Sequence, residues 1–140
     1  MSLHLLVLWT AVAASGAPAA KPAPEPAPIT LPGEGRNCKL PDGMHFTYRF
    51  ASRPQLGTVV LKVQLYGPDG TRSTALKLLG RTDMPQMRKE HDFGEQPFKL
   101  NRKGDYLLPV ELVMPGDWEV VMSFFKGSRR IYRGKIDFKI

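Results

Sequence analysis

The sequence predicts an immunoglobulin-like antiparallel β-sandwich of about seven strands, and three observations carry that prediction. From about Cys38 onward, apolar residues recur at every second position. No stretch shows the three-to-four spacing of a helix face. Turn signals such as Gly67-Pro68-Asp69-Gly70, Pro115-Gly116 and Lys126-Gly127-Ser128 fall at strand-length intervals.

Each strand is justified by its own alternation. Phe46, Tyr48 and Phe50 alternate with His45, Thr47 and Arg49. Val59, Leu61, Val63 and Leu65 alternate with Val60, Lys62, Gln64 and Tyr66 before the Pro-Asp-Gly turn. A third strand is expected near Arg72–Leu79 and a fourth near Pro97–Leu100. Asn101–Gly104 turns into Asp105–Val113, where Tyr106, Leu108, Val110 and Leu112 share a face. Pro115-Gly116 fits a type II turn, after which Trp118, Val120, Met122 and Phe124 share a face. The last strand, Arg130–Ile140, puts Ile136, Phe138 and Ile140 on one side.

At 140 residues, with an N-terminal segment outside the fold, the chain has room for one core. Residues 1–19 read as a secretory signal: the apolar run Leu5–Ala14 is too short to span a bilayer, and Ala17-Pro18-Ala19 supplies small residues for cleavage. That segment has no Lys or Arg before its apolar run, only His4, so an uncleaved membrane anchor is the alternative. Residues 20–37 form a Pro/Ala-rich linker, with five prolines between 20 and 33, and 38–140 form the domain. The expected location is the periplasm or cell envelope, with at most peripheral or N-terminal membrane association.

Lys and Arg outnumber Asp and Glu by 20 to 13, a formal net charge of +7. Six of the basic residues lie between Lys126 and Ile140, where Asp137 is the only acid. They alternate with apolar residues and no nucleic-acid motif accompanies them, so a solvated strand face is expected in place of nucleic-acid binding. No serine stands in a nucleophile motif, no Gly-rich loop opens a helix and no carboxylate pair is recognisable. The expectation is a non-catalytic protein.

Two clusters have metal chemistry in them. Gly80 to Gln96 reads as a connection of roughly seventeen residues, long for a compact sandwich, and it holds Met84, Met87 and His91. Two thioethers bracketing Pro85-Gln86, with an imidazole beyond, are soft and borderline donors suited to Cu(I). The same methionines also suit a core plug or a partner contact, because a flexible thioether fills irregular gaps. The second cluster is Cys38, Met44 and His45, thiolate, thioether and imidazole flanking the Pro41-Asp42-Gly43 turn; the alternative is Cys38 as a small apolar residue of the entry strand and His45 as a solvent-facing strand residue. Cys38, as the only cysteine, forms no internal disulfide.

The succession FTYRFASRPQLGTVVLKVQLYGPDG, then DMPQM with a following histidine, then GDYLLPVELVMPGDWEVVMSF resembles the YtkA-like domain family and the related FixH-type proteins. The resemblance covers roughly Gly43 to Ile140. It rests on Asp69-Gly70, Met84-Pro85-Gln86-Met87 with His91, Gly104-Asp105-Tyr106 and Met114-Pro115-Gly116-Asp117-Trp118. It implies a small exported or membrane-tethered sandwich associated with copper handling or haem–copper oxidase assembly, and a partner in the envelope or a respiratory complex. Arg88-Lys89-Glu90 stands between the second methionine and His91, where copper-linked members place the histidine directly after the methionine. The function expected is Cu(I) binding or delivery through Met84, Met87 and His91; the alternative is an envelope interaction module whose methionines pack the core.

Overall fold

The computed structural model describes residues 26–88 and 94–140. Ten strands form two five-stranded sheets, so the predicted sandwich is present with ten strands and not seven. They are β1 (Ile29–Thr30), β2 (Cys38–Lys39), β3 (His45–Phe50), β4 (Gly57–Tyr66), β5 (Lys77–Asp83), β6 (Glu95–Pro97), β7 (Lys99–Leu100), β8 (Tyr106–Leu112), β9 (Asp117–Lys126) and β10 (Arg129–Lys139). The first sheet runs β1-β10-β9-β5-β6 and the second β2-β3-β4-β8-β7. Every pairing is antiparallel except β1 with β10.

The three extra strands are two or three residues long, and each lies at a sheet edge. Short edge strands leave few unpaired backbone groups for another chain to add to. β1 lies inside the stretch read as linker, where its register sets Ile29 against Gly134. Leu31 then packs so closely over Gly134 that a Cβ there would sit 2.7 Å from Leu31 Cδ2.

The alternation dictates the core. Phe46, Leu61, Val63, Leu65, Val110, Val120, Met122 and Phe124 are completely buried between the sheets, with Trp118 nearly so. Phe46 and Phe124 meet across the sandwich with ring centroids 4.6 Å apart, and Tyr132 closes edge-on against both. The Tyr106 hydroxyl, which has to find a partner when buried, donates to Leu76 O at 2.6 Å. One strand is displaced from expectation. Residues 72–76 form the approach to β5, held by a bridge between Arg72 and Tyr66, and the strand itself runs on to Asp83. The connection that carries the methionines is thereby shortened to residues 84–94.

Candidate functional site

Strand parity decides where Met84 goes. Leu78, Gly80 and Thr82 face the core along β5, and Met84, still extended at φ −100° and ψ 115°, is next in the same row. It is 5% exposed and belongs to the main core cluster. Pro85 then starts a single 3-10 turn, Pro85–Met87, closed by Met87 N donating to Met84 O at 2.8 Å. Met87 emerges half-buried, packed against the rim of the core.

The second methionine-proline turn meets the first. Met114-Pro115-Gly116 joins β8 to β9, and the Met84 methyl lies so close to Gly116 that a Cβ there would be 2.7 Å from Met84 Cε. Gly116 has φ 138°, beyond the roughly +80° of a type II turn. Its backbone is drawn into a reciprocal pair of hydrogen bonds with Ile140, both 3.1 Å. Buried beneath the turn, Trp118 donates its indole N–H to Met114 O at 3.0 Å. Met114 itself is half-buried. The sequence reading passed over Met114 as a donor, although its signal, a second Met-Pro at a strand end, was there. A shallow hollow of about 350 Å³ opens beside the two turns, lined by Pro85, Asp117, Trp118, Asp137, Phe138 and Lys139.

The cation beside the methionines is already engaged. Asp83 and Glu119 are cross-strand neighbours on the outward face of the first sheet, and both are buried. Arg88 reaches over them, Nε to Asp83 Oδ2 at 3.5 Å and Nη2 to Glu119 Oε1 at 3.4 Å. Lys135 approaches Glu119 Oε2 at 3.8 Å and Asp137 Oδ2 at 3.4 Å. The Arg88 guanidinium is thus turned to carboxylates on the face opposite Met84. Asp83 Oδ1 is buried and has no hydrogen-bond partner among the described residues.

His91 lies outside the described residues. For a soft metal ion, Met87 and Met114 fit the role of thioether donors, being half-exposed at the rim. Met84 does not fit it, because its sulfur is enclosed and its methyl is wedged against Gly116. Among the described residues no group of three or more His, Cys, Asp or Glu side chains is placed to hold a metal ion.

The members of the second cluster do not converge. Cys38 is opposite Phe46 in the β2–β3 register and shares its inward face; it is 4% exposed. His45 is the next residue along, so it points outward and stacks on Tyr66, ring centroids 4.7 Å apart and nearly parallel. Met44 packs against the core from the preceding turn. Burial pushes the Cys38 thiol above its ordinary pKa, and its sulfur is 3.6 Å from Arg36 O. A protonated, enclosed thiol is a poor ligand and a poor nucleophile. Cys38 and His45 therefore lie on opposite faces of the second sheet.

Elsewhere the ionisable groups serve the fold. Asp105 is 5% exposed and accepts from Gln64 Nε2 at 3.0 Å, Asn101 Nδ2 at 3.2 Å and Arg72. Burial alone would raise this carboxyl, but the hydrogen bonds from Arg72, Asn101 and Gln64 together hold it below the ordinary carboxylate range.

No family model matches the chain, so the YtkA-like resemblance has no such match behind it, and no curated protein matches it. Two solved structures share its fold. One is FetP of uropathogenic Escherichia coli strain F11, as isolated after expression in the periplasm: TM-score 0.53, 12% identity, covering 76% of this chain and 93% of FetP. The other is a copper-bound variant of FetP: TM-score 0.52, 12% identity, covering 75% of this chain and 93% of that one. At such identity the likeness is one of fold, and the chain is a β-sandwich of the same type as a periplasmically expressed protein that has a copper-bound form.

Proposed function

We propose that this chain is an exported, non-catalytic β-sandwich that handles Cu(I) at the end of the domain where its two Met-Pro turns meet. The observation that carries the reading is the contact of Met84 with Gly116. Met87 follows Met84 by three residues and Met114 precedes Gly116 by two, so both half-buried methionines belong to the touching turns, and His91 follows Met87 by four. Thioether and imidazole donors together suit a soft monovalent copper ion. The copper-bound form of a protein of the same fold supports this reading, as does the engagement of Arg88 with Asp83 and Glu119, which removes an opposing free cation. In this arrangement Met87, Met114 and His91 bind, while Met84 positions them from below. Delivery to an envelope or respiratory partner, as the YtkA-like resemblance implies, belongs to the same proposal.

The test is titration of the purified protein with Cu(I) against a competing chelator. Met87→Leu with Met114→Leu is expected to weaken binding at least tenfold, and His91→Ala to weaken it as well. Met84→Leu should leave affinity nearly unchanged. If the Met87/Met114 double variant competes as the parent does, the copper site is not at these turns.

A second reading, an envelope docking module without metal, is favoured by the burial of Met84 and by the open hollow beside Trp118 and Phe138. It predicts that the parent protein takes no Cu(I) from the chelator at all.

A further inference from the structure

The outward face of the second sheet carries a charge arrangement that the fold does not need. Arg49 on β3 and Lys62 on β4 are directly opposed in register, and Lys62 is opposed in turn to Leu107 on β8, itself opposite Lys99 on β7. Strands in a sheet are about 4.8 Å apart, so the row from Arg49 to Lys99 spans roughly 14 Å. Like charges directly opposed across strands destabilise a sheet. Arg49, Lys62 and Lys99 form no ion pair with any described residue. The carboxylates nearby do not answer them: Asp105 is committed to Arg72, and Glu34 accepts from Phe50 N at 2.6 Å. Glu111 lies four residues further along β8.

The same face is apolar at one end. Leu56 and Val113 flank the Gly57–Leu112 pair, which ends the β4–β8 ladder, and they are 58% and 54% exposed. A flat sheet face with a row of unpaired cations and exposed aliphatic side chains at its margin matches a layer of anionic headgroups above an apolar interior. The apolar run Leu5–Ala14, read as an export signal, would bring the domain to a membrane during export, a point that rests on the exported reading proposed above.

We infer that the outward face of the second sheet docks on an anionic phospholipid surface through Arg49, Lys62 and Lys99, with Leu56 and Val113 entering the interface. This does not depend on copper, and its test is run in metal-free buffer. The full chain is mixed with vesicles of 30% phosphatidylglycerol in phosphatidylcholine and with pure phosphatidylcholine vesicles, and bound protein is measured by co-sedimentation. Each cation near such a surface is worth about fivefold in affinity. Arg49→Gln/Lys62→Gln/Lys99→Gln is therefore expected to lose about a hundredfold on anionic vesicles and nothing on neutral ones. Leu56→Ser/Val113→Ser should weaken anionic-vesicle binding by a further route, one that survives in 1 M salt.

A control variant, Lys77→Gln/Arg129→Gln/Lys139→Gln, removes the same charge from exposed positions of the other sheet and should bind as the parent does. Equal loss in both triple variants would overturn the assignment to this face. Undiminished binding by the first triple variant would overturn the proposal outright. Polyglutamate that displaces the protein from anionic vesicles at equal charge concentration would assign the face to an acidic polypeptide instead.

Discussion

Gly116 and Met84 are a coupled pair, and the coupling can be measured. A methyl added at Gly116 meets Met84 Cε at 2.7 Å, in a backbone conformation that side chains rarely adopt. Gly116→Ala is expected to cost about 1–3 kcal/mol and Met84→Ala about 2–5 kcal/mol in chemical denaturation. Combined with Met84→Ala, Gly116→Ala should cost less than it does alone, by at least about 0.5 kcal/mol, since the space it needs is then vacant. Strict additivity would show that the two turns do not touch. A different residue sets a pH limit. Tyr48 is buried and donates to Pro32 O at 2.6 Å; burial first, then the Cys38 thiolate and the Glu34 carboxylate, push it up to about 12. A raised pKa means that the folded state keeps this proton longer than the unfolded chain does. Tyr48 therefore contributes fully below pH 10, and its contribution falls away between pH 10 and 12, by up to roughly 3 kcal/mol. Denaturation curves across that range should show the fall, and Tyr48→Phe should lessen it, the remainder coming from Tyr106 and Tyr132, which burial also raises. Cys38, enclosed and protonated, should react with iodoacetamide only as fast as the protein opens.

At the scale of elements, β5 explains both what the sequence made readable and what it hid. Strands with five or more alternating residues, such as β4, β8 and β9, were readable because one apolar row per strand is enough to place them. β1, β2 and β6 were not, since two or three residues cannot display a period. β5 was read several residues too early because Gly80 and Thr82 interrupt its apolar row. Gly80 is there for packing: a Cβ would sit 2.4 Å from Leu108 Cδ2 and 2.9 Å from Phe98 Cε1. Gly80→Ala is accordingly expected to cost about 1–3 kcal/mol, and Leu108→Ala in the same chain to recover part of it. Had the strand been carried through to Asp83, parity would have sent Met84 inward from the sequence alone. Two features stayed beyond reach: the meeting of Met84 with Gly116, and the separation of Cys38 from His45 onto opposite faces. The first depends on which strands neighbour one another, and the second on the β2–β3 register, which sets Cys38 opposite Phe46. Arg88 adds a prediction for this element. Arg88→Met removes a cation from two buried carboxylates that lie side by side, and should destabilise by about 1–2 kcal/mol, discounted for the exposure of the guanidinium.

At the scale of the whole molecule, the two sheets carry different electrostatic characters under one net charge of +7. The first sheet's outward face pairs some of its cations, Arg88 and Lys135 with Asp83, Glu119 and Asp137, and Arg130 with Glu95 at 3.0 Å, while Lys77 and Lys139 stand exposed at its strand ends. The second sheet's leaves Arg49, Lys62 and Lys99 facing solvent. Composition reports the sum and cannot report this division, which exists only once the strands are in register. Of the six basic residues of the C-terminal hairpin, Lys126, Arg130 and Lys135 are met by carboxylates of described residues. Raising salt to 1 M should consequently change stability little while removing the electrostatic part of any attraction to anionic surfaces.

The parallel pairing of β1 with β10 has a mechanical meaning. The chain enters the domain alongside its own last strand, fixed by Leu31 N donating to Lys135 O at 2.9 Å and by Leu31 seated over Gly134. Tension drawn between the proline-rich entry and the end of β10 would load these contacts in shear, all at once, where a peeling geometry would open them one by one. A domain held at the end of a tether would in this way yield abruptly at a threshold force instead of unravelling from its entry.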